Sequence, residues 1–172
     1  MKSLSILALL TLAMVTAGCA PQNLDGMGGA SPADPDTSSQ EVFSEDLTQR
    51  TFAYFWDTTD TERCLAPDRW PSRTFSSIAA TGFALTAYGI GAERGYVTRE
   101  QAAKRTRDCL AFYWNAPQGP EASGATGYKG FFYHFLRYED GTRFKTVELS
   151  TVDTTLFLGG ALFAQSYFDG GN

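Results

Sequence analysis

The sequence predicts an all-α domain, a toroid or bundle of paired helices with one short β-hairpin inserted. Three observations predict it. Apolar residues recur at helical spacing in four separate stretches, each with its own start or stop signal. One of these stretches is apolar nearly all round, so it belongs between other helices rather than on a surface. Finally, Asp140-Gly141 separates two strand-like runs, which is a hairpin signal.

The first helix is expected to start at Ser44. Its hydroxyl can cap the free backbone N–H groups, and Glu45 and Asp46 sit at the positive end of the helix dipole. Leu47, Thr51, Tyr54 and Phe55 continue the helical spacing to Asp57. Asp68-Arg69-Trp70-Pro71 then forms a loop. The second helix runs from Ile78 to Arg94, Ala-rich and apolar, until Gly95 stops it. Thr98 with Gln101 makes a capping box that opens the third helix, which runs to about Trp114 with Lys104, Arg105, Arg107 and Asp108 on its wet side. The Gly- and Pro-punctuated stretch 115–130 is expected to be loop. Runs 131–136 and 143–147 flank the Asp-Gly turn as the two hairpin strands. A cap at Ser150 or Thr151 opens a long apolar helix to about Phe168.

The chain has 172 residues, enough for one domain with a real core. A net charge of −5 and the lack of a basic run exclude an electrostatic footprint for nucleic acid. His134 is the sole histidine, which argues against a histidine-rich metal site and leaves little room for Ser-His-Asp chemistry. Carboxylates are therefore the expected acid–base groups. The 14% aromatic content is high, and exposed rings are a common way to stack on sugars. Even so, most individual rings are expected to be core.

Residues 1–18 read as an export signal. Lys2 supplies the positive start, and the apolar run Leu4 to Val15 is too short to span a bilayer comfortably. Thr16-Ala17-Gly18-Cys19 resembles the lipobox of bacterial lipoproteins, so Cys19 is the expected lipidation site, against an ordinary signal with an incidental cysteine. Ala20 in place of an aspartate leans toward the outer membrane, and the expected location is the cell envelope, lipid-anchored, at the outer membrane or periplasmic face. Residues 19–42, rich in Pro, Gly and Ser, are expected to be a disordered tether, leaving 43–172 as the folded part. Export admits a disulfide between Cys64 and Cys109, but their separation says nothing about proximity. Two separate buried thiols are the expected arrangement.

Several blocks then converge on one family. They include Arg50-Thr51-Phe52-Ala53-Tyr54-Phe55-Trp56-Asp57, Leu65-Ala66-Pro67-Asp68-Arg69-Trp70-Pro71 and Phe75-Ser76-Ser77-Ile78-Ala79-Ala80-Thr81-Gly82-Phe83. Phe112-Tyr113-Trp114-Asn115-Ala116-Pro117, Thr126-Gly127-Tyr128-Lys129-Gly130-Phe131-Phe132-Tyr133-His134-Phe135 and Glu148-Leu149-Ser150-Thr151-Val152-Asp153-Thr154 follow in order. Together they resemble the N-terminal portion of the glycoamylase-like proteins, which include inverting endo-β-1,2-glucanases of glycoside hydrolase family 144. The resemblance implies an (α/α)6 toroid acting on β-glucan with no metal or organic cofactor, and an oligo- or polysaccharide as partner. Twelve helices complete such a ring and about four are counted here. The chain is therefore expected to be a database fragment or the product of a truncated gene. Cys64 departs from the glycine usual in relatives.

The resemblance makes Glu148 and Asp153 the leading catalytic carboxylates, near the junction of hairpin and last helix. Each has a plainer reading: Asp153 as a helix-capping acid after Ser150, Glu148 as a solvated strand end. Asp68, Arg69, Trp70, Tyr133 and His134 are the candidate substrate-binding residues. Trp70 is the expected sugar platform, fixed by an Asp68–Arg69 pair that is otherwise an exposed salt bridge of little worth. Trp56, Tyr128 and Phe132 are alternative platforms. The rival readings are a carbohydrate-binding envelope lipoprotein without catalysis, or an inactive truncated product.

Overall fold

The computed structural model describes residues 37–169, so the export signal, Cys19 and tether residues 19–36 lie outside the described residues. Four helices carry the fold: α1 (Thr37–Thr58), α2 (Ile78–Glu93), α3 (Arg99–Asn115) and α4 (Thr151–Asp169). Four two-residue strands lie between them: β1 (Ser76–Ser77), β2 (Gly127–Tyr128), β3 (Phe131–Phe132) and β4 (Phe135–Leu136). α2 is the hub, packing on α1, α3 and most extensively α4. This matches its apolar sequence, although Phe83 and Ile90 still project outward.

Most helix boundaries follow the sequence signals. The Thr98–Gln101 capping box forms in both directions, with Gln101 N–H on Thr98 Oγ1 at 3.1 Å and Thr98 N–H on Gln101 Oε1 at 2.9 Å. Ser77 caps α2 by accepting from Ala80 N–H. The start of α1 differs. The helix begins at Thr37, seven residues before Ser44, so residues 37–42 are helix and not tether. Nothing from Thr37 to Phe43 breaks a helix, and the Ser44 carbonyl accepts from Thr48 Oγ1 inside it.

The hairpin also moves. The regular one is β2–β3, reversed at Lys129 (φ +52°) and Gly130 (φ +85°), inside the stretch expected to be loop. Two consecutive positive φ values are what a tight two-residue hairpin turn demands. The Asp140-Gly141 reversal does form. Asp140 Oδ1 accepts from the Thr142 N–H and hydroxyl, and Arg137 N–H reaches the Thr142 carbonyl. It closes only a single bridge, Leu136 to Arg143, because β4 takes β1 as its ladder partner.

α2 and α4 touch backbone to backbone. A Cβ on Gly160 would lie 2.0 Å from the Gly82 carbonyl oxygen, and one on Gly82 would lie 2.4 Å from the Leu156 oxygen. Only hydrogen fits at either position. Beside this crossing Tyr113, Phe132 and Phe157 pack edge-on and tilted at 4.7–5.3 Å in the core.

Cys64 and Cys109 form a disulfide rather than standing as separate thiols. The bridge ties the segment that leads into loop 68–75 onto α3, and both cysteines are buried. Cys64 holds φ +54°, the left-handed region that favours glycine. Its carbonyl accepts from Tyr113 and Thr81 hydroxyls. A cross-link over 45 residues of sequence restricts the unfolded chain by on the order of 4 kcal/mol.

Two outcomes are expected. Gly160→Ala should destabilise by roughly 1–3 kcal/mol or more, because the obstacle is rigid backbone. The paired Cys64→Ser and Cys109→Ser variant should lose roughly 2–5 kcal/mol in urea denaturation, and a loss below about 0.5 kcal/mol would mean the bridge does not strap the fold.

Candidate active site

The site is built where three segments meet: β4 with the residues before it, the stretch 143–150, and the first turn of α4. His134 N–H donates to the Glu148 carbonyl at 3.0 Å, Ser150 N–H donates to the Phe132 carbonyl, and Tyr133 bridges to Leu149. This antiparallel pairing puts residues 134 and 148 side by side. Cross-strand neighbours of this kind bring side chains within a few ångströms of each other.

The imidazole of His134 therefore lies between the two leading carboxylates. Its Nδ1 is 2.8 Å from Glu148 Oε1, and its Nε2 is 3.6 Å from Asp153 Oδ1. The first distance is a hydrogen bond. The second is within ion-pair range but too long for one. The ring stacks on Phe135 with centroids 3.9 Å apart. Because one ring separates them, the carboxylates stand no more than about 9 Å apart, which is compatible with the roughly 6.5–9.5 Å used in inverting glycoside hydrolysis.

The two acids live in different surroundings. The Glu148 side chain is 67% exposed, whereas that of Asp153 is 11% exposed. Hydrogen bonds from its own backbone N–H, then from His134, hold the Glu148 carboxyl below the usual carboxylate range, with the Arg143 charge adding to the effect. Asp153 sits in the first turn of α4, where its N–H donates to Ser150 Oγ at 3.1 Å and its Oδ2 accepts from the same hydroxyl. The capping role read from Ser150-x-x-Asp153 and the placement beside His134 are thus both present. The cap uses one carboxylate oxygen and the other faces the ring.

The other candidates are placed as follows. Asp68 and Arg69 form their pair at 3.3 Å on the surface. Trp70 is 53% exposed, with the Arg73 guanidinium 5.1 Å from its ring. Tyr133 stands apart from the carboxylates: it is buried, its OH donates to the Gly119 carbonyl, and Arg143 lies over its ring. Phe132 is also core, and Trp56 packs on the core's edge against Phe52 and Tyr88.

The sequence reading missed Phe75 and Phe135. Their rings are 4.2 Å apart, Arg69 lies over Phe75 at 5.5 Å, and β1 pairs with β4. Loop 68–75 is thereby linked to His134 through two stacked rings. No local signal marks this contact, since about 60 residues of chain separate the partners. Among the described residues no group of three or more His, Cys, Asp or Glu side chains has metal-holding geometry, and no helix is long and apolar enough to cross a membrane. The apolar grooves between α1 and α2 and between α3 and α4 contain none of the site side chains.

No family model matches the chain. An exo β-1,2-glucooligosaccharide sophorohydrolase (non-reducing end) from Parabacteroides distasonis is 27% identical over 140 residues, 76% of this chain and 18% of that protein. A glucoamylase-like protein from Bacteroides uniformis superposes with a TM-score of 0.65 at 27% identity, over 81% of this chain and 33% of the other. The endo-β-1,2-glucanase from Chitinophaga pinensis, solved with sophorotriose and glucose, gives a TM-score of 0.63 at 25% identity over 77% of this chain and 32% of that one. The resemblance to the glycoamylase-like proteins holds. The chain spans about a fifth to a third of the length of these relatives, and its four helices with their small sheets are a partial helical toroid of that kind.

The lowered pKa of Glu148 has a definite sign. Its contact with His134 contributes above the ordinary carboxylate pKa and is lost as pH falls through the depressed value. A carboxyl carbon-13 NMR titration should show the Glu148 midpoint below that of an unstructured glutamate, and Arg143→Ala should move it upward. A midpoint at or above the ordinary value would contradict the His134–Glu148 hydrogen bond.

Proposed function

We propose that the protein is a glycoside hydrolase acting on β-1,2-linked glucan, working from the cell envelope. The observation that carries this reading is the Glu148–His134–Asp153 constellation at a solvent-facing junction, in a chain 25–27% identical to β-1,2-glucan hydrolases. Hydrolysis at this site needs a proton delivered to the leaving glycosidic oxygen as that C–O bond breaks. It also needs a carboxylate to take the proton from the water that attacks the anomeric carbon. Glu148 and Asp153, linked through His134, are the candidate carboxylates this chain brings to that machinery. Glu148, held ionised and open to solvent, suits contact with water.

Trp70 supports a sugar-binding role for loop 68–75: an indole face in solvent gives the apolar, flat surface that a pyranose ring stacks on. The Asp68–Arg69 pair borders it. Tyr133 ties down the 115–130 stretch instead, through its hydrogen bond to the Gly119 carbonyl. The export signal of residues 1–18, followed directly by Cys19, supports a lipid-anchored protein at the outer membrane or periplasmic face, where an oligosaccharide would be met.

The test is incubation of the protein with β-1,2-, β-1,3- and β-1,4-glucans, with reducing ends and products measured. Release from β-1,2-glucan alone is expected. Glu148→Gln should lower kcat by roughly 10³–10⁴-fold with the fold intact, and Trp70→Ala should raise KM with little change in kcat. Saccharide binding without any reducing-end release would instead favour a binding lipoprotein. Cys19→Ser should abolish incorporation of labelled fatty acid, and unchanged labelling would remove the anchor.

A further inference from the structure

The hydrolase reading leaves the two carboxylates undivided, and their surroundings divide them. We infer that Asp153 is a positioning residue that acts through His134 to hold Glu148, the carboxylate that meets water and substrate. This inference rests on the glycoside hydrolase reading for its chemistry, though not for its geometry.

Asp153 is fixed from below. It occupies the first turn of α4, which is anchored by the Ser150 cap and by Thr154 Oγ1, the acceptor for Phe132 N–H at 3.0 Å. With one oxygen engaged by Ser150, the oxygen facing His134 Nε2 has a set direction. Only about a tenth of its side chain meets solvent, so it is poorly placed to meet a polysaccharide directly.

His134 is fixed on its face and at its edge. Phe135 stacks on the ring, and the backbone pairing with Glu148 sets its depth. Nδ1 then presents itself to Glu148 Oε1 at 2.8 Å. Hydrogen bonds that orient a catalytic group are often long in ligand-free proteins and tighten when substrate binds, which accommodates the 3.6 Å on the Asp153 side. Both partners are acceptors, so the ring spans them by presenting an N–H from each nitrogen, a carboxylate–imidazolium–carboxylate bridge in which one acid orients the donor to the other.

The charged groups around the ring are Glu148, Asp153 and, behind Glu148, Arg143. Glu148 takes the proton of the attacking water as the new C–O bond forms. The glycosidic C–O bond breaks, and the leaving oxygen takes its proton from a carboxylic acid outside this three-residue unit.

The sole histidine gives a direct readout, because nitrogen-15 histidine labelling reports one imidazole. Asp153→Asn should shift both ring-nitrogen resonances and weaken the Nδ1 hydrogen bond. Ser150→Ala, which frees the Asp153 carboxylate without removing it, should lower the Tm and shift the ring resonances in the same direction as Asp153→Asn but by less. In turnover of β-1,2-glucan, Asp153→Asn should lower kcat roughly 100-fold with KM within about twofold, Glu148→Gln should cut kcat at least tenfold more deeply, and Asp153→Glu should restore part of the loss. Ring resonances unchanged by Asp153→Asn, or an Asp153→Asn enzyme less active than Glu148→Gln, would overturn the assignment. If wild type turns over no glucan, the hydrolase reading falls, while the spectra alone still decide whether Asp153 reaches Glu148 through the ring.

Discussion

The close crossing of α2 and α4 at Gly82 and Gly160 is the constraint from which the rest of the site follows. Backbone contact leaves no side chain to absorb a change in spacing, so the two helices have one relative position. α2 begins immediately after β1, and α4 begins immediately after Ser150. Holding the helices together therefore holds β1, and its partner β4, against the first turn of α4. His134 comes from the residue before β4, Asp153 from that first turn, and the crossing sets the gap between them.

Electrostatics and capping share the same residues. A carboxylate in a first helical turn is favoured by the dipole and by the unpaired N–H groups there. Asp153 answers that need through Ser150 and still turns an oxygen to the imidazole. Glu148 has no such local duty. It is exposed, and its carboxyl is held in the ionised form by its own backbone N–H and then by His134, which the strand pairing places beside it. One acid is thus part of the scaffold and the other is presented by it.

Loop 68–75 is held from both ends. Behind it, the buried Cys64–Cys109 bridge fixes a residue in a backbone conformation more natural to glycine, and the bridge with two hydroxyl donors to its carbonyl maintains that turn. Ahead of it, Phe75 packs between Phe135 and Phe144. Movement of the Trp70 loop is in this way coupled to the ring that stacks on His134, so sugar placement and carboxylate orientation draw on one aromatic cluster.

What was legible in the residues was local. Four helices could be read from spacing, and the Thr98–Gln101 box from its pattern, because those signals act within a turn of helix. The blocks around Glu148, Asp153 and His134 pointed to a family, and so to acids worth watching. Three features were decided only by tertiary structure. Residues 37–42 carry no breaker, yet their polar composition suggested a tether. β4 abandoned the Asp-Gly hairpin for β1, about 60 residues away, since a ladder partner is chosen by packing and not by the nearest turn. Cys64 and Cys109 met because α3 brings them together. The sequence alone determined which helices form and which side chains carry charge. The three-way meeting of Glu148, His134 and Asp153 was set by strand pairing and a glycine crossing between distant segments, interactions whose energy exists only once the chain has folded back on itself.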